Sequence, residues 1–163
     1  MQSGAAGAVG GLESLPLAVA MRHDLWLYPV IEIAHIAGFV VLVGSIVVLD
    51  LRLLGFSRGL PVRSMTRHVL PWTFAALLLI VPTGLLMFIA HASDFITNRA
   101  FQLKLLMILF AAVNAGVFHT TVYRTVPQWD KDAAPPAAVK VHAALSLVLW
   151  FSVLACGRLL AYI

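Results

Sequence analysis

The sequence is short of charge. Asp, Glu, Lys and Arg make up 11% of its 163 residues, against roughly 25% in an ordinary soluble domain, too few to build a water-facing surface. Disorder is excluded by the converse argument, because disordered chains are poor in apolar residues and here apolar types reach 61%. Cysteine is almost absent. The one thiol, Cys156, has no partner for an internal disulfide and says nothing of redox compartment. No nucleophile motif, Walker or Rossmann glycine pattern or zinc-protease helix occurs, so no enzyme class is indicated. The basic residues form no stripe, which leaves the net charge of +4 without the pattern that nucleic-acid binding needs. These absences together describe an integral membrane protein.

Long apolar runs are what the sequence has in quantity. A helix needs about 20 predominantly apolar residues to cross a bilayer, and four such runs lie at about 30–52, 69–91, 103–124 and 141–163. They do not alternate as barrel strands do, and helices satisfy their own backbone in lipid. The expected fold is therefore all-α, a transmembrane four-helix bundle forming a single domain over 26–163. Residues 1–25 divide into a Gly- and Ala-rich disordered tail and a short interfacial helix from Leu12 to Arg22, with Ser14 as its N-cap and Pro16 just inside. This segment lacks the basic start and cleavage site of a signal peptide and is expected to be retained. Trp26 and Tyr28 resemble an interfacial aromatic belt. Pro71 falls in the first turn of the second run, Pro82 predicts a kink or local unwinding, and the stretch holding Pro127, Asp130, Pro135 and Pro136 reads as an exposed loop.

Basic residues set the expected orientation. Arg52, Arg58, Arg63, Arg67, Arg124, Lys131 and Lys140 lie on one side; Arg22, Arg99, Lys104 and Arg158 lie on the other. The excess places the first and third connections in the cytoplasm and both termini in the periplasm.

Ionisable groups at membrane depth are costly and usually functional. His35, His68, His91, His119 and His142 all lie in or at the ends of the runs. Depth, at about 1.5 Å per residue, sorts them into an outer pair, His35 and His91, and an inner set, His68, His119 and His142. His35 and His119 differ by roughly 15 Å in depth, too far to share a metal. On an ideal helix Glu32 and Asp50 share a face with His35 about 60° away, and Lys104 and His119 are also about 60° apart, with Asn114 flanking. His142 and Arg158 come out about 160° apart, which allows Arg158 simply to snorkel outward.

Two histidine layers across four spans resemble small di-haem b-type membrane cytochromes, in which facing helices supply paired axial histidines near each side. That resemblance implies one or two b haems. An outer haem would take His35 with His91, its propionates meeting Lys104 and Arg158; an inner one would take His142 with His119 or His68. The implied activity is electron transfer, with a quinol or a redox protein as partner. Another reading makes Glu32, His35, Asp50 and His119 a transition-metal or proton site, or a small transporter. A third is a non-catalytic assembly subunit, which could be homo-oligomeric. Plainer roles stand beside all of these. Histidines at span ends are commonly interfacial, deeper ones hydrogen bond between helices, Asp50 with Arg52 suits a salt-bridged helix end, and Gly38, Gly44, Ala111, Ala112, Ala115 and Gly116 suit close packing.

Several strings resemble an uncharacterised bacterial family of small four-span membrane proteins. They are Trp26-Leu27-Tyr28-Pro29, Ala34-His35-Ile36-Ala37-Gly38, Leu49-Asp50-Leu51-Arg52-Leu53-Leu54-Gly55, Leu70-Pro71-Trp72, Thr83-Gly84-Leu85-Leu86, Asn98 with Phe101 and Lys104, Asn114, Phe118-His119, and Gly157-Arg158-Leu159-Leu160-Ala161-Tyr162. The resemblance covers nearly the whole chain. It implies four helices in a bacterial inner membrane, in contact with lipid, and places His35, Asp50, Arg52, Lys104, His119 and Arg158 in the family's pattern. It supplies no activity.

Overall fold

The computed structural model describes residues 10–160 and 162; the disordered tail expected at the N-terminus falls largely outside them. Helix α1 covers Pro16–His23, α2 Leu27–Leu54, α3 Val62–Ala90, α4 Ala92–Thr97, α5 Arg99–Thr120 and α6 Ala137–Leu159, with a 3-10 segment at Val122–Gln128 between the last two. The described residues contain no strand. Helices α2, α3, α5 and α6 are each long and apolar enough to span a bilayer, and the protein is a multi-pass membrane helical bundle. Their side chains are apolar nearly all round, as lipid-facing helices require. Exposed Val40, Phe74, Leu78 and Val148 cover the outside and would meet lipid tails.

The helices begin earlier than their apolar runs. Helix α3 starts at Val62, so exposed Arg63, Ser64 and Arg67 extend it beyond the apolar stretch, and Pro71 sits well inside it rather than in its first turn. It continues helically through Pro82, without unwinding. Helix α5 starts at Arg99 because Asn98 caps it, its Oδ1 accepting from the amides of Ala100 (2.8 Å) and Phe101 (3.2 Å). Ser14 does not cap α1; its hydroxyl donates to the Gly11 carbonyl instead. Helix α1 is docked rather than merely interfacial. Ala18 and Met21 are buried, and Arg22 donates to the carbonyls of Ala90 and Glu13.

Helix α2 is the hub of the bundle. It packs along α3 on one side and α6 on the other, and α6 in turn carries α5. Among the described residues α3 and α5 do not pack along their lengths. They meet through Phe88, Phe95 and Phe101, whose rings stack at centroid separations of 5.6 Å (Phe88–Phe101) and 5.2 Å (Phe95–Phe101). Glycine permits the tightest approach. A Cβ at Gly38 would sit 2.9 Å from Ile80 Cγ1 and 3.5 Å from the Ala76 carbonyl oxygen. Gly44 and Gly116 have nothing within 4 Å of such a Cβ, and Ala112 and Ala115 are exposed, so only part of the small-residue set serves packing.

The opposite end from α1, called here the loop end, is closed by the third connection. Trp129 is 3% exposed and Val126 fully buried, packed with Leu53, Val62, Phe118, Val139 and Ala143. The connection is therefore a folded cap and not the exposed loop its prolines suggest. Arg52, 1% exposed, holds it in place. Its Nε donates to the Leu60 carbonyl (2.7 Å), and one terminal nitrogen donates to those of Asp130 (3.0 Å) and Arg58 (3.2 Å). One guanidinium thus ties the first connection to the third, and Asp50–Arg52 is not an ion pair.

Arg52→Ala would leave three carbonyls without that donor, and the expected cost is about 2–4 kcal/mol. Arg52→Lys should recover only part, because an ammonium lacks the planar fork; denaturation midpoints in detergent measure both. At the α1 end, the Ser93 hydroxyl and amide donate to Glu13 (2.5 and 2.7 Å) and hold its carboxyl below the ordinary range. A depressed pKa means the contact is present at neutral pH and lost as pH falls through it. The protection of the Ser93 amide against hydrogen exchange, relative to its intrinsic rate at each pH, should accordingly fall on acidification, and should not in Glu13→Gln.

Candidate functional site

The close approach of α2 and α3 sets His35 against Thr83 and Gly84. His35 Nδ1 lies 3.0 Å from Thr83 Oγ1. The same hydroxyl donates to the Leu79 carbonyl at 2.7 Å, with that of Ile80 at 3.1 Å. A hydroxyl has one proton to give. With it committed to the backbone, Thr83 can only accept from the ring, so His35 carries its proton on Nδ1 and leaves a lone pair on Nε2. This is the arrangement by which proteins fix a metal-ligating imidazole. Gly84 makes the space, since a Cβ there would come within 3.1 Å of His35 Cε1.

Lys104 of α5 stands against α6: its Nζ lies 3.7 Å from where a Cβ on Gly157 would be, and its charge acts on His35. Among the described residues no acid pairs with this ammonium. Phe88, four residues beyond Gly84, and Phe101, three before Lys104, share faces with them at helical spacing, which puts the aromatic stack about one turn toward the α1 end. A half-buried imidazole lone pair and a cation with no acid partner among the described residues thus lie near that stack.

The other expected site residues are dispersed. His91 ends α3, seven residues or roughly 10 Å beyond the level of His35. It meets Asp94 (3.8 Å) and the edges of Tyr28 and Phe95. His142 is locked much as His35 is. Asn114 Nδ2 donates to the His142 carbonyl (3.0 Å), so its Oδ1 accepts from His142 Nδ1 (2.6 Å), again leaving Nε2 free. A groove floored by that pair is lined by Phe110, Val113, Val117 and Leu145. His119 is exposed beside Tyr123, with Phe118 between it and His142. His68 and Glu32 are exposed. Arg158 is exposed and lies over Tyr162, to whose hydroxyl it donates. Asp50 is about 22 Å along α2 from His35. Among the described residues no three His, Cys, Asp or Glu side chains gather as a metal site, so Glu32, His35, Asp50 and His119 form no single centre.

A protein-family model described as a family of unknown function, DUF6644, matches residues 28–163. The chain belongs to that family. No curated protein and no solved structure matches it. The DUF6644 match takes in all four spans together with His35, Thr83, Gly84, Lys104, Asn114 and His142.

The sequence pointed to His35, Lys104 and His142, along with His68, His91, His119 and Arg158, but missed the partner role of Thr83, which stood only in the Thr83-Gly84-Leu85-Leu86 string. The signal was available. Reflecting His35 about the short first connection lands near residues 81–83, as any antiparallel helix pair with a tight turn must. In Thr83→Val, which keeps shape but removes the acceptor, nitrogen NMR should show His35 changing from a single Nδ1–H tautomer to a mixture, with His142 unchanged.

Proposed function

We propose that this protein is a b-type haem-binding membrane protein that transfers electrons, in which His35 Nε2 would hold the haem iron. The observation that carries this reading is the Thr83 lock, which fixes an imidazole lone pair in an otherwise apolar bundle, with the Lys104 charge acting on it. Haem asks for these features: an oriented imidazole, a cation for a propionate, and apolar and aromatic walls. Gly84 and Gly157 keep side chains out of the space, and Lys104 rather than the outward-turned Arg158 is placed to meet a carboxylate. When bound, the group supplies one-electron chemistry; the chain orients the ring, excludes water beneath the Phe88–Phe95–Phe101 stack and balances charge. The separation of His35 from His91 favours a site built on His35 over the bis-histidine pair of the cytochrome resemblance. His142, equally locked, is the corresponding ligand on the loop side, and its lipid-open groove suits a membrane quinol as redox partner.

The excess of Lys and Arg at the loop end supports a bacterial inner-membrane protein with the loop end cytoplasmic and the α1 end periplasmic. After expression with ample haem, the purified protein should show a Soret band and reduced α and β bands. A colourless protein would remove the proposal. Thr83→Val should retain the fold and weaken haem binding by about 10–100-fold, read by titration into haem-free protein.

A further inference from the structure

One buried acid takes no part in the haem site. Asp50 of α2 is 5% exposed, and its Oδ2 has no hydrogen-bond partner. Thr66 of α3 is buried to the same degree, and its Oγ1 is also unpartnered. Threonines in helices usually return the hydroxyl to a carbonyl one turn back. Thr73, Thr83, Thr97, Thr120, Thr121 and Thr125 do so here, and Thr66 does not. Its hydroxyl bonds none of its own helix's carbonyls. The register that sets His35 against Thr83, and Gly38 against Ala76 and Ile80, sets Asp50 within one turn of Thr66. Helix α6 contributes the third oxygen, Ser146, which is the polar side chain against Asp50.

Among the described residues no charged group answers the carboxyl. Arg52 turns to the loop carbonyls. Arg63, Arg67 and His68 on α3 are exposed, as is His119 on α5. On α6, His142 is held by Asn114, and Lys140 lies about 120° round the helix from Ser146. The ion pairs among the described residues are His91–Asp94 and Lys131–Asp132. An ionised carboxylate away from water and without a cation is costly, and such groups neutralise instead. A carboxylic acid offers one O–H, and hydroxyls can both accept it and donate in return. We propose that Asp50, Thr66 and Ser146 form a proton-binding site at the loop end of the bundle, separate from the His35 site.

A hydrophobic carbodiimide, dicyclohexylcarbodiimide, tests this on the full-length protein in lipid vesicles. The protonated carboxyl adds across one C=N bond: its oxygen bonds the central carbon, its proton goes to nitrogen, and rearrangement leaves a stable acylurea with nothing released. Peptide mass spectrometry should find this adduct on Asp50 at neutral pH, with a rate that falls as pH rises and is unchanged by excess NaCl. Asp50→Asn should remove the adduct, and Thr66→Val should move the pH midpoint of labelling upward, because a hydroxyl able to donate to the carboxylate is replaced by a methyl group. Absence of the adduct on Asp50 in the wild-type protein overturns the proposal. So does labelling that ignores pH, or protection by NaCl, which would mark a metal-cation site. The reaction needs no haem, so a colourless protein that still labels at Asp50 fails the haem proposal alone.

Discussion

The close approach of α2 and α3 is the constraint on which the rest of the structure depends. In lipid, helices gain little from burying apolar surface against each other, and association rests on van der Waals contact and interhelical hydrogen bonds. Gly38 supplies the first by letting Ile80 and the Ala76 backbone come against the α2 main chain. Gly84 supplies room for the second, the His35–Thr83 bond. The contact that holds the pair together is therefore the contact that orients the imidazole. Packing at Gly38 and orientation of the ring at Thr83 thus lie on one helix interface.

That hairpin leaves the bundle unevenly packed. Helix α2 is lined by α3 and α6, while α3 and α5 stand apart except at the aromatic stack. Polar side chains make up for the missing helix contact at both ends. Arg22 and Glu13 fasten α1 beside the α3–α4 junction, and Arg52 fastens the two connections at the loop end. Charges that looked like topology signals thus also serve as fasteners. Arg52 fills that second role most completely, because its donors reach carbonyls from connections that are distant in sequence.

The four spans were legible because hydropathy and length alone decide them. Their ends were not, since Arg63, Ser64 and Arg67 lengthen α3 with residues that lower the mean hydropathy without breaking the helix. The folded third connection was hidden by its prolines, which mark turns but do not say whether a turn is packed; Trp129 was the clue in composition. For the site, depth arithmetic singled out His35, Lys104 and His142 because rare polar residues stand out in an apolar chain. It paired histidines by depth, whereas the structure gives each a neutral partner, Thr83 or Asn114. Such partners are invisible to an argument built on charge. Asp50 already stood among the candidate metal or proton residues, but its link to Thr66 became visible only through the hydrogen bonds both lack, which cannot be read from sequence.

On the proposed function, His35 fixed by Thr83, and not a histidine pair with His91, would hold haem at the α1 end. Haem-to-chain stoichiometry by pyridine haemochromogen, compared between His35→Ala and His91→Ala in detergent-purified folded protein, tests it most directly. The account predicts a haem content lowered by His35→Ala and left at the wild-type value by His91→Ala. Equal loss in both variants, or undiminished haem in His35→Ala, would contradict it.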